Sequence, residues 1–324
     1  KIVVPNLSPF DAINMIANKS VSDKSNGVGY YFYETTSGYY FRSWASMITN
    51  QGEFSRPPKQ QFYYQPLRMD SVNKTKNQKG ETQDKIEKEY ESVESYQFIN
   101  NFHDIAANTI LGTYGHRVIS HNLFDKSYDI ADYNFHREYR RTPHTDTVDG
   151  NPGNKFPVMD TPVDYDNADN LSDYKESRVS LQTTTPFLHD KDVGKYGLDV
   201  AVDGAKTGQR VSQSNQVTQG TSLILTVKGQ SYIQAGDLIT FNLRDVNKDD
   251  SENNNDPRFS GNYVITKVRH KVTGEHYKMI LECAKDSVAT AYQDLSIGQS
   301  LHGGVHKTNN KTLQLEEIDG DIYT

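Results

Sequence analysis

The sequence predicts a β-rich α+β fold, an antiparallel small β-barrel or sandwich with a small helix and hairpin domain and long loop insertions. Two observations carry this. Between Thr221 and Cys283, short β-prone runs alternate with turn residues at intervals of about ten residues, a spacing that favours a barrel or sandwich over a parallel sheet. In the last of these runs Tyr277, Met279, Leu281 and Cys283 share one face, while Lys278 and Glu282 share the other with Ile280 as the exception. One face is therefore buried and the other mostly wet.

Within that region Leu223 to Val227 stops at Lys228-Gly229-Gln230, Tyr232-Ile233 enters the turn Gln234 to Asp237, and Leu238 to Leu243 resumes. These read as consecutive strands of a meander. Gly261-Asn262 opens a strand through Val272, Thr273-Gly274-Glu275 reverses it, and Tyr277 to Cys283 returns.

Earlier in the chain, Ser8-Pro9-Phe10-Asp11 supplies an N-cap, a proline at the first helical position and an early acid, so a helix begins there with Phe10, Ile13, Ile16 and Ala17 as its apolar stripe. The polar run from Asn18 to Gly27 ends it. Tyr30 to Glu34 and Tyr39 to Arg42 read as a hairpin joined through Thr35-Thr36-Ser37-Gly38, where Gly38 supplies a positive φ. Ser43 to Thr49 reads as a second short helix. Pro57-Pro58 breaks the pattern, Phe62 to Leu67 is extended, and Asn73 to Glu89 is a charged linker-like run. The spacing of Ile86, Tyr90, Val93 and Phe98 predicts a helix from Asp84 to Asn100. A strand is expected through Val118 and Ile119, a second extended run from Tyr128 to Tyr139, another strand from Arg178 to Thr184, and a polar helix over Gln209 to Gln219. The stretch from Arg141 to Asp173 is rich in Pro, Gly, Asp and Asn and reads as an irregular loop, mobile or pinned by a partner. The tail after Ser287 is weakly patterned and reads as a docking segment or linker. The resulting organisation is 1–52 helix, hairpin and helix; 53–140 strand and helix segments contributing in part to the barrel; 141–175 insertion loop; 176–287 barrel; and 288–324 extension.

Composition limits the functions to consider. The 324 residues are 35% hydrophobic, low for one large core, and the 21 Tyr against 13 Phe suit thin domains and interfaces. A net charge of −7 argues against tight grip on a phosphate backbone. The one cysteine, Cys283, excludes an internal disulfide and lies on the apolar strand face, so it reads as a core residue. No stretch approaches the roughly 18 apolar residues of a membrane helix, and no membrane insertion is expected. The start at Lys1, without an initiator Met or a signal-peptide pattern, reads as a cut start.

No catalytic, cofactor or metal residue is assigned. Asp245 to Asp256 spaces oxygen ligands as a calcium loop does, yet Asp250 and Asp256 stand where that loop needs Gly and Glu, so it reads as a hydrated hairpin loop. His103, His116, His121, His136 and His144 fall in one region without a tight ligand motif, and His116 and His121 would point to opposite strand faces. His302 and His306 read as surface residues of the tail. The carboxylates from Asp160 to Asp173 are scattered along a loop and cannot be paired into a glycosidase site. Arg137, Arg140 and Arg141, interleaved with Phe135 and Tyr139, read as interface or ion-pair residues rather than a nucleic-acid motif. No nucleophile elbow or phosphate loop occurs.

Four blocks carry a family resemblance: Val4 to Asn14 (VPNLSPFDAIN) with Gly29 to Ser43 (GYYFYETTSGYYFRS); Gly112 to His121 (GTYGHRVISH) with Asp125 to Tyr128; Gly261 to Val272 (GNYVITKVRHKV); and Tyr277 to Ser287 (YKMILECAKDS). In order and spacing they resemble the central baseplate hub protein of contractile-tailed, myovirus-type phages, which is related to the spike-carrying trimers of type VI secretion. The resemblance implies a homotrimer with two similar barrels per chain, forming a pseudo-sixfold ring between a hexameric tail tube and a threefold spike. It implies tail tube, spike and other baseplate proteins as partners, phage DNA passing without specific binding, no enzymatic activity, and a place in the virion after assembly in the host cytoplasm. Only one barrel, tube-type by this resemblance, is visible in this sequence, so the resemblance leads one to expect a first barrel upstream of Lys1 or on another chain. The other class of function considered is a carbohydrate-binding or glycan-degrading virion or secreted protein.

Overall fold

The computed structural model describes residues 4–22, 27–48, 57–64, 90–100, 104–122, 126–139, 141–146, 171–184, 204–244, 255–256, 258–288, 305–307 and 313–315. The fold is α+β and strand-rich, dominated by a nearly closed β-barrel.

The N-terminal helix α1 spans Pro9–Ala17, and Ser8 Oγ accepts from the Asp11 amide at 3.3 Å, as the cap residues dictate. Its expected stripe is only partly covered: Ala17 is buried, whereas Phe10 is 57% exposed and Ile16 38%. The hairpin β1 (Tyr30–Thr35) and β2 (Gly38–Ser43) turns through Thr36 and Ser37, with Gly38 at φ 131°. Tyr30 stacks on Phe41, Phe32 on Tyr39 and Tyr33 on Tyr40, at 5.1 to 5.7 Å between ring centroids, so cross-strand aromatics hold the hairpin. Helix α2 (Trp44–Ile48) then buries Trp44, Met47 and Ile48 against Leu238 and Val264 on the outside of the barrel.

The barrel orders its strands β3 (Gln61–Tyr64), β9 (Leu238–Leu243), β10 (Gly261–Val272), β11 (Tyr277–Lys285), β8 (Thr221–Lys228) and β4 (Val93–Asn100). A bridge between Tyr63 and Ser92 brings the two edge strands together. Its interior is filled by Phe62, Leu223, Leu225, Phe241, Tyr263, Met279 and Leu281 among others, and Cys283 belongs to this core as its strand parity requires. Burial drives the Cys283 thiol well above its ordinary pKa.

Three expectations about this region are corrected. The span from Val93 to Asn100 is strand β4, not helix, while 84–89 lies outside the described residues. A bulge between Val93 and Ser95 makes Val93, Tyr96 and Phe98 the inward positions, and that first gap of three imitates a helical spacing. The strands 221–243 are not a simple meander: β8 pairs with β11 and β4, and Tyr232-Ile233 lies in the connection, where Ile233 reaches the core. The barrel is also not wholly antiparallel, because β3 runs parallel to β9.

A second, three-stranded sheet has the order β6 (Ser127–Asn134), β5 (Gly115–Asn122), β7 (Val179–Thr184). Residues 112–139 therefore stand outside the barrel, and so does β7, which the sequence places within the barrel span. The extended run expected through Tyr139 ends at Asn134, whose side chain accepts from the Arg137 amide at 3.0 Å and starts helix α4 (Phe135–Tyr139). Before this sheet lies helix α3 (Ile105–Ile110), and after it helix α5 (Gly204–Gln219), which packs on β5 and β6 and also reaches β8 and β11. Two short strands in the C-terminal extension, β12 (Val305–Lys307) and β13 (Leu313–Leu315), pair with each other. Among the described residues no helix is long and apolar enough to cross a membrane.

Candidate functional site

The densest concentration of chemistry lies at the end of β11, where the strand leaves the barrel as Lys285-Asp286-Ser287. The alternation that points Leu281 and Cys283 inward continues to Lys285, which is fully buried. Its Nζ donates to the Arg258 carbonyl at 2.7 Å and the Ser260 carbonyl at 3.0 Å, lies 5.0 Å from the Tyr263 ring centre, and stands 3.5 Å from Asp146 Oδ2. Burial lowers the Lys285 pKa and raises that of Asp146, and their mutual attraction opposes both shifts. Asp146 Oδ1 accepts from the Asn262 amide at 2.7 Å. That carboxylate fits because Gly261 has φ 129° and no side chain; a Cβ there would lie 2.5 Å from Asp146 Oδ1.

Asp286 is the hub of the cluster. Its Oδ2 accepts from Trp44 Nε1 at 3.0 Å and contacts His144 Nδ1 at 2.9 Å, and its Oδ1 accepts from both the amide and the hydroxyl of Thr145 at 3.0 Å. Burial acts to raise its pKa, but the charge of His144 and the donors from His144, Thr145 and Trp44 outweigh it and hold the carboxyl below its usual range. Tyr31, at the edge of the cluster, is pushed up to about 12 by burial and by the charge of Asp286. His144 stacks on Tyr139 with centroids 3.6 Å apart, and its Nε2 lies 2.8 Å from the Tyr139 carbonyl. Ser287 Oγ accepts from the Asp146 amide at 2.9 Å and bonds the Thr145 hydroxyl at 2.9 Å.

Chemically this is a clamp. The polar groups of Asp286, Thr145 and Ser287 are spent on one another away from water, and the segment His144 to Asp146 is tied to the barrel through Asn262, Asp286 and Ser287, with Asp286 in turn bonded to Trp44 of α2. That corrects, for its first residues, the reading of 141–175 as an insertion loop either mobile or pinned by a partner, whereas 147–170 lies outside the described residues. Isolated charges buried this deeply would each cost several kcal/mol, so the pairing is obligatory.

The other residues singled out by sequence are dispersed. His116 and His121 do face opposite sides of β5, with His116 buried and its Nε2 at 2.7 Å from Ser180 Oγ. His136 Nδ1 contacts Ser172 Oγ. Arg137 and Arg141 both pair with Glu138, at 2.9 and 3.1 Å. Of the calcium-like run, Asp256 caps a turn by accepting from the amides of Arg258 and Phe259 at 2.8 and 3.0 Å, while 245–254 lies outside the described residues. Asp173 accepts from Asn134 Nδ2 at 3.2 Å. His103, Arg140, Asp160 and His302 lie outside the described residues, and His306 falls in β12. Among the described residues no three His, Cys, Asp or Glu side chains gather as metal ligands would. Lys285, Asp286 and Trp44 were not singled out by sequence. Two signals pointed to them: the inward parity of β11 extends to Lys285, and the one Trp of the chain, once buried, needs an acceptor for its N–H.

No family model matches this chain, and no curated protein matches it. Among solved structures it is similar to the tail protein from Neisseria meningitidis MC58, with a TM-score of 0.38 and 11% sequence identity. The match covers 88% of this chain and 56% of that one, so the chain spans a little over half the length of that protein.

Proposed function

We propose that the chain is a structural subunit of a phage tail, acting as the baseplate hub: a trimeric adaptor between a hexameric tail tube and a threefold spike that lines part of the route taken by DNA. The observation that carries this reading is the way the hub-like blocks come together. Val4 to Asn14 and Gly29 to Ser43 build the helix and hairpin unit, Gly112 to His121 builds most of β5, Tyr128 falls in β6, and Gly261 to Ser287 builds β10, β11 and part of the clamp. The hairpin block meets the barrel block through Tyr31, Tyr33 and Val264, and α5 joins the β5 block to the barrel. Blocks far apart in sequence thus form one continuous body, as a rigid ring element requires.

The role assigned is assembly rather than turnover. Apolar and tyrosine-rich surface is available for it: Tyr39 is 60% exposed, Phe10 57% and Phe41 41%, all on the helix and hairpin unit. A chain of net charge −7 suits a conduit that DNA traverses without adhering. The test is the solution mass by light scattering coupled to size exclusion at two protein concentrations. Three chains at both is the expected result. One chain at both concentrations would count against the trimeric adaptor.

A further inference from the structure

We propose that Lys285 and Asp146 join through an isopeptide bond between Nζ and Cγ, a covalent strap that fixes the segment at Asp146 to the end of β11. The inference is independent of the hub reading and rests on how the two side chains are set. Both lie away from water, with side-chain exposures of 0% and 6%. An ion pair so placed ordinarily closes to about 2.7–2.9 Å. Here Nζ stands 3.5 Å from Asp146 Oδ2, and among the described residues that oxygen accepts no hydrogen bond. The two groups are within reach of each other without being locked together as ions.

The donors of Lys285 account for this. Its N–H groups go to the Arg258 carbonyl at 2.7 Å and the Ser260 carbonyl at 3.0 Å. A neutral amine has two N–H bonds and one lone pair, so the two carbonyls use all its hydrogens and leave the lone pair for the carboxyl. Burial, the largest influence on each group, favours the neutral amine and the neutral acid. Passing one proton from Nζ to Oδ2 converts the ion pair into that neutral pair. Asp286 acts in the same direction: its own carboxyl stays ionised, and a second negative charge beside it on Asp146 is disfavoured.

Asp146 is held as an electrophile. Its Oδ1 accepts from the Asn262 amide at 2.7 Å, in a seat that Gly261 leaves open. That N–H stands where negative charge gathers on Oδ1 when an amine adds to Cγ, as a donor of an oxyanion hole does. Cγ lies one bond from Oδ2, so a small shift of either side chain gives the approach of about 3–3.5 Å that attack requires. A desolvated lysine amine is a competent nucleophile. In the reaction the lone pair of Nζ forms the bond to Cγ and the Cγ–Oδ2 bond breaks. Oδ2 leaves as water, carrying the proton of the acid and one proton from Nζ, and no other reactant is consumed. The product keeps Oδ1 on the Asn262 amide and retains one N–H for the carbonyls of Arg258 and Ser260. The ion pair and its energetics describe the chain before this step.

The test is the intact mass of the full chain, denatured after incubation in its folded state, followed by tryptic mapping. The expected mass is one water below that of the sequence. The expected digest contains a branched peptide in which Lys285 is uncut and attached to the peptide that carries Asp146. Lys285→Arg and Asp146→Ala should each keep the full mass of their sequences. A wild-type chain at its full sequence mass, with both residues unlinked in the digest, would overturn the proposal. So would a lost water that maps to Asp149-Gly150, Asp203-Gly204 or Asp319-Gly320, where a succinimide can close, with Lys285 cut as usual.

Discussion

The indole N–H of Trp44 donates to the carboxylate of Asp286 at 3.0 Å, joining residues 242 positions apart. This bond and the packing of α2 on Leu238 and Val264 attach the N-terminal unit to the barrel. Trp44→Phe keeps most of the packing and removes one donor from a buried carboxylate. It is expected to cost about 1–3 kcal/mol, the range for an unmet buried hydrogen bond, measured by denaturant unfolding.

Asp286 also sets a pH dependence. Its folded pKa is held below the unfolded value, so the stability it contributes is complete above the ordinary carboxylate range and is lost as pH falls through the folded pKa. Asp286→Asn turns an amide N–H₂ toward Trp44 or Thr145 and should cost about 3–5 kcal/mol at neutral pH. The gap between wild type and variant should narrow steadily below about pH 4. A gap that stays constant down to pH 2 would show that the carboxylate charge contributes nothing.

Lys285 and Asp146 form the second buried pair. Lys285→Met leaves the Asp146 carboxylate facing an apolar pocket and should cost about 3–5 kcal/mol. Combining it with Asp146→Leu should recover most of that loss, because an apolar pair needs no mutual compensation. Recovery should be incomplete, since the Asn262 amide then loses its acceptor. A double-mutant cycle by thermal or chemical unfolding measures this coupling.

Gly261 is required twice over, by its φ of 129° and by the approach of Asp146 Oδ1 to where a Cβ would be. Gly261→Ala should cost about 1–3 kcal/mol from the backbone alone. Because the methyl group also displaces the carboxylate, its effect should not add to that of Lys285→Met. Strict additivity of the two would argue that Asp146 moves freely.

Much of the fold was legible because local rules and tertiary structure agree. Ser8 capping α1, Gly38 at the hairpin turn and the alternation from Tyr277 to Cys283 each require only neighbouring residues. Strand β4 was misread because a bulge changes the inward spacing at Val93, and a bulge is set by the facing strand β8 rather than by the residues themselves. The helix at Phe135 was missed because a single polar residue, Asn134, starts it within an otherwise β-prone run. The clamp was hidden for a different reason. Its members come from the regions of residues 44, 144, 260 and 286, and no local pattern tells Asp286 that Trp44 will be its donor. For Lys285 the one local signal is the parity of β11, carried two residues past Cys283.

The pairing of β3 with β9 places Gln61 beside Thr240 and Phe62 beside Phe241. On a ribosome making the chain from its N-terminus, Phe62 therefore emerges long before the strand that covers it. Until β9 has been made, the early product carries an unshielded aromatic strand, the kind of surface that chaperones hold and that drives nascent chains to aggregate. Truncation anywhere before residue 238 should accordingly yield an insoluble fragment rather than a smaller folded one, and closing so distant a contact should make refolding slow.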